Sequence, residues 1–163
     1  MSKKSKRPKK SKASPPAPEQ TVQIPATVAV VESVASNRAR AIEVVASLGY
    51  QVHEAASVAT ATSSLSSSSP PDVLIVGVPE GAELVKEALH HEDRPVVVAA
   101  MAGPSEAAYE RCDELGADLF TIRPHNKDGL AAVLRAAVQV QLVRQRERAL
   151  RGTEERLRDR LQQ

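Results

Sequence analysis

The sequence predicts an α/β fold in which a five-stranded parallel sheet, with strand order 2-1-3-4-5, carries helices on both faces. Five short aliphatic runs alternate with five segments of helical character from residue 26 onwards. Parallel neighbours need right-handed crossover connections, and the intervening helices supply them. Aromatic residues make up only 2% of the 163-residue chain, whereas 42% of it is hydrophobic. The core is therefore expected to consist of Val, Ala, Leu and Ile.

The first strand and helix are predicted from residues 27–49. The run TVAVVES is short and aliphatic, which is typical of a buried strand. Ser36 or Asn37 is predicted to cap the next helix, because short polar side chains accept hydrogen bonds from the first free N–H groups. Gly49 is predicted to end this helix. Its apolar positions recur at helical spacing: Ile42, Val45 and Leu48.

The middle of the chain continues the alternation. The run YQVHEAA predicts a second strand, and the Ser-rich residues 57–69 predict a short, weak helix followed by a flexible loop, because serine is a poor helix former. The run PDVLIVG predicts a third strand over residues 72–77. A helix over AELVKEALHH, residues 82–91, and a fourth strand over PVVVAA, residues 95–100, follow.

The last elements complete a flavodoxin-like arrangement. The segment SEAAYERCDEL predicts a helix that is capped by Ser105 and closed by Gly116. The fifth strand is predicted over DLFTI, residues 118–122, and a final helix begins after RPHN.

The final helix is predicted to be too long for one domain. Its first half should pack on the sheet, and residues 141–163 should form a helical extension. Glu147, Gly152 and Glu154 weaken this extension, so it is expected either to pair in a coiled coil or to fray in solvent. The coiled-coil seam has alternating spacings of three and four: Val133, Ala136, Val140, Val143, Glu147, Leu150, Glu154, Leu157 and Leu161.

The net charge of +2 conceals a division along the chain. Residues 1–20 carry seven Lys/Arg and one Glu, residues 141–163 carry seven Arg and four acids, and the middle carries eight basic against fifteen acidic residues. Residues 1–25 lack apolar periodicity and are expected to be a disordered basic tail. No apolar run approaches the roughly 18 residues of a membrane span. A basic start without an apolar signal segment and a single cysteine favour a cytoplasmic protein.

Five pieces of the chain resemble the receiver domains of two-component response regulators, over about residues 27–140. They are VAVVES, LGYQVHEA, PPDVLIVGVPEG, RPVVVAAMA and GADLFTIRPHNKDGLAAVL, in the family's order and at nearly its spacing. The resemblance implies a receiver-like domain over residues 26–140. In that family an Asp that ends the third strand takes a phosphoryl group from a histidine kinase, and two acids after the first strand help to hold Mg²⁺. A hydroxyl after the fourth strand and a Lys before a Pro after the fifth contact the phosphoryl group.

This chain departs from that pattern at three of the expected positions. Gly77 stands at the nucleophile position, Ala100 stands at the hydroxyl position, and the acid pair is reduced to Glu32 followed by Ser33. Arg123 keeps the positive charge. The resemblance therefore implies a degenerate pocket that forms no acyl phosphate, for which magnesium binding is doubtful and no enzymatic activity is expected. Its members are Glu32, Ser33, Gly77, Ala100 and Arg123.

A switch or interaction surface is expected beside this pocket. Phe120 keeps the aromatic position that moves with activation in the family, and the bond between Arg123 and Pro124 is expected to be cis, as it commonly is there. His125 is predicted to lie at the lip of the pocket, where it could titrate or bind an anion. The expected surface comprises Phe120, Tyr109, Pro124 and His125.

Two other acids of this region are candidate phosphoryl acceptors. Asp72 begins the third strand, about 16 Å from the pocket end of the strand, so it is too far away to be the acceptor. Glu80 is nearer, but a loop acid that faces water is the simpler interpretation.

The sequence therefore predicts a phosphorylation-independent pseudo-receiver that acts as a protein–protein interaction module in two-component-type signalling. By resemblance, a signalling protein or output domain would engage residues 105–140. The long C-terminal helix is expected to join the module either to a second protomer, as a parallel homodimer, or to an output domain beyond residue 163. Two alternatives stay open. One is a phosphorelay regulator with an unusual acceptor. The other is a protein that binds nucleic acid or another polyanion through KKSKRPKKSK.

Overall fold

The computed structural model describes residues 26–55, 57–65 and 69–162, so the predicted basic tail lies outside the described residues. Strands and helices alternate strictly along the described chain. Their bounds are β1 Thr27–Val31, α1 Ala35–Ser47, β2 Gln51–Ala55, α2 Val58–Leu65, β3 Val73–Gly77, α3 Ala82–Leu89, β4 Val96–Met101, α4 Glu106–Leu115, β5 Leu119–Ile122 and α5 Lys127–Leu161.

The five strands form one parallel sheet in the order β2-β1-β3-β4-β5, which confirms the predicted fold class and topology. All residues of β3 and β4 are buried, as expected for central parallel strands that are covered on both sides. In the register of the sheet Val76 lies beside Val31, and Gly77 lies beside Ala100. The carboxyl ends of these strands therefore meet at one edge of the sheet.

Two aliphatic clusters fill the space on the two faces of the sheet. Alternate residues of β1 point to opposite faces, so Val28 and Val30 pack towards α1 and α5, whereas Ala29 and Val31 join the cluster with α3 and α4. The buried residues of both clusters are almost all aliphatic, which confirms the predicted aliphatic core. Cys112 is buried in the second cluster, where burial raises the pKa of its thiol and the neighbouring Asp113 charge adds to the rise.

Most predicted element ends lie within two residues of the observed ends. Ser105 caps α4 by accepting a hydrogen bond from the Ala108 N–H at 3.1 Å, and Gly116 closes it at a φ of 75°. The predicted cap of α1 was wrong. Val34 precedes that helix without a side-chain cap, and Ser36 and Asn37 lie inside the helix. Backbone bonding explains the early start, because the Arg38 N–H already donates to the Val34 carbonyl at 2.9 Å.

The α5 helix is 35 residues long, and its first half packs on the sheet, as predicted. The face in contact with the sheet differs from the predicted coiled-coil seam. It consists of Leu130, Ala131, Leu134, Ala137, Val138 and Gln141. Val133 and Val140 of the seam are only partly buried against this cluster. The helix thus carries two stripes, one that packs on the sheet and one that is mostly exposed.

Asp118, immediately before β5, connects α5 to the sheet. It accepts hydrogen bonds from Arg144 at 2.5 Å, from Arg94 at 3.0 Å and from the Val97 N–H at 2.9 Å. Burial alone would raise the pKa of Asp118, but these donors together lower it below its ordinary value. Further along the helix Arg148 pairs with Asp93 at 2.8 Å. Within the described ranges no helix is both long and apolar enough to cross a membrane.

Candidate functional site

Three side-chain positions of the predicted pocket meet where β1, β3 and β5 end. Glu32 follows β1, Gly77 ends β3, and Arg123 follows β5. The parallel order of the sheet brings these positions together, although they lie far apart in sequence. In folds of this kind, ligands and reactive groups are held at the carboxyl ends of central strands. The structure thus places the predicted pocket at the expected edge of the sheet.

The centre of this pocket is an ion pair between Arg123 and Glu32. The Arg123 guanidinium donates to Glu32 Oε1 at 2.6 Å, and the two side chains are 6% and 1% exposed. The same guanidinium donates to the Val78 carbonyl at 2.8 Å, and Glu80 lies 3.6 Å away at the solvent side. Arg38 donates to the Glu32 backbone carbonyl at 2.7 Å. Fixed contacts therefore hold both charged groups inside the protein.

The Glu32 carboxylate occupies the space that a side chain at position 77 would need. A Cβ atom on Gly77 would lie 2.6 Å from Glu32 Oε1, 2.8 Å from Oε2 and 2.9 Å from Cδ. Such separations are too short for non-bonded atoms. Glycine is therefore the residue that lets Glu32 reach across the pocket to Arg123.

Burial and charge have opposite effects on Glu32. Desolvation raises the pKa of the Glu32 carboxyl, whereas the charge and hydrogen bond of Arg123 lower it, and the net direction is upward. Oε2 of Glu32 and Nε of Arg123 are buried without a hydrogen-bond partner among the described residues. The pair is thus connected through one short contact, and one polar atom of each side chain makes no hydrogen bond to the described residues.

The other two predicted pocket members contribute little to this pair. Ala100 is buried beside Gly77 and accepts a hydrogen bond through its backbone carbonyl from the Val78 N–H at 3.0 Å. It supplies no hydroxyl. Ser33 is exposed rather than in the pocket, because the chain turns towards solvent before α1. Within the described ranges, no group of three or more His, Cys, Asp or Glu could hold a metal ion.

His125 is buried, so its predicted position at an accessible lip was wrong. Both ring nitrogens are buried without a hydrogen-bond partner among the described residues. Desolvation lowers the pKa of His125, and the nearby Arg123 charge lowers it further. The neutral imidazole is therefore favoured. The predicted cis bond between Arg123 and Pro124 is present, and a second cis bond joins Val78 to Pro79.

Tyr109 of α4 and Phe120 of β5 form an aromatic pair. Their ring centroids are 5.0 Å apart at an interplanar angle of 62°, which is an edge-to-face contact. Phe120 is 46% exposed despite its size. The structure thus brings together two members of the predicted interaction surface. Pro124 is also exposed, whereas the buried His125 does not belong to this surface.

A groove of about 770 Å³ lies between α3 and α4. Its lining is mostly apolar and includes Val78, Pro79, Ala82, Met101, Ala108 and Leu115. The Val78 carbonyl accepts a hydrogen bond from Arg123, so one wall of the groove touches the pocket directly. Sequence reasoning missed this groove, because its lining residues come from separate elements. It also missed the direct contact of Glu32 with Arg123, although one acid and one long cation remained in the degenerate pocket.

Comparisons with known proteins identify the fold. No family model and no curated protein matches the chain. A CheY-like response regulator receiver domain from Methanospirillum hungatei JF-1 is 15% identical, with a TM-score of 0.64 over 73% of this chain and 98% of that one. NtrX from Brucella abortus, in complex with ADP, is 21% identical, with a TM-score of 0.69 over 78% of this chain and 29% of that one.

A third solved structure covers a larger share of this chain. It is a fusion that contains amino acids 181–211 of the yeast Spc42 trimeric coiled coil, and it is 15% identical, with a TM-score of 0.68 over 86% of this chain and 99% of that one. At these identities the comparisons establish the fold. The chain has the flavodoxin-like fold of receiver domains, with an extended C-terminal helix.

Proposed function

We propose that this chain is a phosphorylation-independent pseudo-receiver, which acts as a protein–protein interaction and regulatory module in two-component-type signalling. The receiver-like fold supports the signalling context. One observation carries the independence from phosphate. The Glu32 carboxylate lies where an acceptor side chain at position 77 would have to stand, and it pairs with Arg123.

The ion pair accounts for how such a module keeps one conformation. In a working receiver the cation beside the proline would meet a phosphoryl group that is present only part of the time. Here Arg123 meets a carboxylate that is part of the chain, and it also holds the Val78 carbonyl. Removing either partner of a buried pair costs several kcal/mol, about 3–5. The pocket is therefore fixed, and we expect neither enzymatic turnover nor a magnesium requirement.

The surface over residues 105–140 is the proposed docking site for a signalling protein or output domain. Its most prominent feature is the exposed Phe120, whose ring packs edge-to-face on the half-buried Tyr109. Aromatic residues are enriched at the centres of protein interfaces, where they bury a large area at a low cost in conformational entropy. The fold match to NtrX covers 29% of that longer protein, so a domain of this kind occurs there beside other segments. We place this module in the cytoplasm.

Beryllofluoride, which mimics an aspartyl phosphate in receivers, tests the proposal. Amide NMR spectra of the full chain would be recorded while Mg²⁺ and beryllofluoride are added, with a receiver that has the complete acidic pocket as positive control. We expect no shifts at Glu32, Gly77 or Phe120 in this chain and clear shifts in the control. Shifts that spread from Gly77 to residues 105–125 would refute the proposal, because they would show a working phosphoryl switch.

A phosphorelay regulator with an unusual acceptor is the second candidate, because Glu80 lies 3.6 Å from Arg123 and is 47% exposed. If Glu80 accepts phosphate, incubation with acetyl phosphate adds one phosphoryl group to the chain, and Glu80→Gln removes it. Asp72 serves as the control position. Asp72 lies at the other end of the strand, where its carboxylate accepts a hydrogen bond from the Thr27 N–H at 2.9 Å. We expect no phosphoryl transfer to either residue.

A further inference from the structure

We propose that the exposed face of α5 between Val143 and Leu161 docks an acidic amphipathic helix from another protein, in preference to a second copy of this chain. This inference rests on the proposed role as an interaction module. It concerns a different surface from the Tyr109–Phe120 pair, and it names the chemistry of the partner. Three features of the helix carry it: its exposed apolar residues, their direction, and the charges on either side of them.

The apolar residues of this face are strongly exposed. Val143, Leu150, Leu157 and Leu161 are 52%, 71%, 55% and 88% exposed. They follow one another at spacings of seven, seven and four, so they lie on one side of the helix. Single exposed apolar residues are normal, but an aligned row of four large ones is typical of an interaction site. We call this row the apolar seam.

The apolar seam points away from the sheet. Val143 follows the buried Gln141 by two residues, and positions two apart on a helix lie on nearly opposite sides. The pair of Arg148 with Asp93 is the last polar contact of α5 with the other elements in the described part of the chain. From residue 149 to 161 the helix extends about 20 Å further. A partner helix can therefore reach the seam without displacing the sheet contacts of α5.

Arginines border the apolar seam on both sides. In the heptad spacing of the seam six residues flank it: Arg144, Arg146, Arg151, Thr153, Arg158 and Arg160. All of them except Arg144 are exposed. None of the four exposed arginines has an acidic partner among the described residues, whereas Arg144 and Arg148 are already paired with the body of the protein. Unpaired arginines thus lie on both sides of the seam.

A second copy of this chain would be a poor partner for this face. In a parallel pair each flanking residue faces a flanking residue of the other helix, so Arg146 would face Arg151 of the second copy. Glu147 and Glu154 alternate with the apolar residues of the seam, and each would face the same glutamate of the second copy. Like charges at these positions destabilise a coiled coil. A helix with Glu or Asp beside its seam, and with Lys or Arg opposite Glu147 and Glu154, would turn these repulsions into ion pairs.

Two synthetic helical peptides test this inference. Both carry a leucine seam. In the first, Glu flanks the seam and Lys stands opposite Glu147 and Glu154; in the second, Lys flanks the seam and Glu stands within it. Each labelled peptide would be titrated with the full chain and followed by fluorescence anisotropy, and the chain alone would be examined by analytical ultracentrifugation. We expect a monomeric chain that binds the first peptide at least about tenfold more tightly than the second.

Two variants of the chain separate the seam from other basic segments. Leu150→Ser with Leu157→Ser removes the seam but keeps every arginine and the N-terminal lysines, so it should lose binding of the first peptide. Arg151→Glu with Arg158→Glu should weaken binding by about tenfold, because two attractive pairs become repulsive. All four substituted residues are exposed, so both variants should fold, and circular dichroism checks this.

Three results would overturn the inference. Unchanged binding to the leucine variant would show that charge elsewhere holds the peptide. Self-association of the chain that the leucine variant abolishes would make a second copy the occupant. Equal affinity for the two peptides, or no binding of either, would show that the seam does not select an acidic helix. None of these results depends on the response to beryllofluoride, so this inference and the proposed function can fail separately.

Discussion

Replacing Gly77 with alanine should destabilise the protein, although glycine-to-alanine changes in strands usually stabilise it. The usual gain is about 0.5–1 kcal/mol, because glycine loses more conformational freedom on folding. Here the new Cβ would lie 2.6 Å from Glu32 Oε1 and 2.8 Å from Oε2. The carboxylate must move, and its buried contact with Arg123 must lengthen or break. Loss of one partner from a buried pair costs about 3–5 kcal/mol. We expect a net loss of about 2–4 kcal/mol for Gly77→Ala.

Urea denaturation followed by circular dichroism measures this loss, and Gly103→Ala is the matched control. A Cβ on Gly103 meets no atom within 4 Å, so that substitution should change the free energy of unfolding by less than about 0.5 kcal/mol. The decisive comparison is a double-mutant cycle with Glu32→Ala. Without the Glu32 carboxylate the alanine at position 77 finds free space, so the two substitutions should couple by about 2–3 kcal/mol.

Two results would refute this reasoning. If Gly77→Ala is as stable as Gly103→Ala, the pocket accepts a side chain at no cost, and Glu32 does not fill it. If the effects of Gly77→Ala and Glu32→Ala simply add, the two positions do not compete for the same space.

Three further predictions concern Asp118, His125 and the two faces of α5. Burial raises the pKa of Asp118, but Arg144, Val97 and Arg94 lower it below its ordinary value. The ionised Asp118 therefore contributes its full stabilisation of the folded state above the unfolded pKa of about 3.9. This contribution is lost as pH falls through the lower pKa of the folded state. Asp118→Asn should flatten the acid limb of a stability profile. The pKa of His125 is lowered by burial and by Arg123, so stability should fall as pH drops below about 6.5, and His125→Leu should reduce this slope in thermal unfolding. Leu134→Ala, at a fully buried position, should cost about 2–5 kcal/mol in urea denaturation. Leu150→Ala, at an exposed position, should lower the free energy of unfolding by less than about 0.5 kcal/mol. Equal losses for the two substitutions would contradict the assigned faces of α5.

The filled pocket changes how the degenerate positions are interpreted. Gly77, taken alone, indicates only that an acceptor carboxylate is missing. Together with Glu32 and Arg123 it forms one arrangement, in which the small residue, the acid and the cation each require the other two. Restoring an acid by Gly77→Asp should therefore fail to restore a response to beryllofluoride while Glu32 remains, because the two carboxylates would compete for one cation and one space.

The elements and the topology of this protein follow from its sequence, because both depend on local signals. The aliphatic runs, the cap at Ser105 and the stop at Gly116 are each visible within a few residues, and parallel strands joined by helices allow few arrangements. The cap of α1 was missed because the helix starts on backbone bonds from Val34 instead of on a polar side chain.

The contacts between residues that are distant in sequence depend on the packed fold. Glu32 and Arg123 are 91 positions apart, and no local pattern tells which residue fills the space above Gly77. His125 is predicted from the sequence to lie at the lip of the pocket, but it is buried in the folded chain. The helix itself could be read as a single periodic seam, yet packing divided it into a buried stripe and an exposed one. Periodicity records that a face is apolar, whereas only the packed fold determines what that face is buried against.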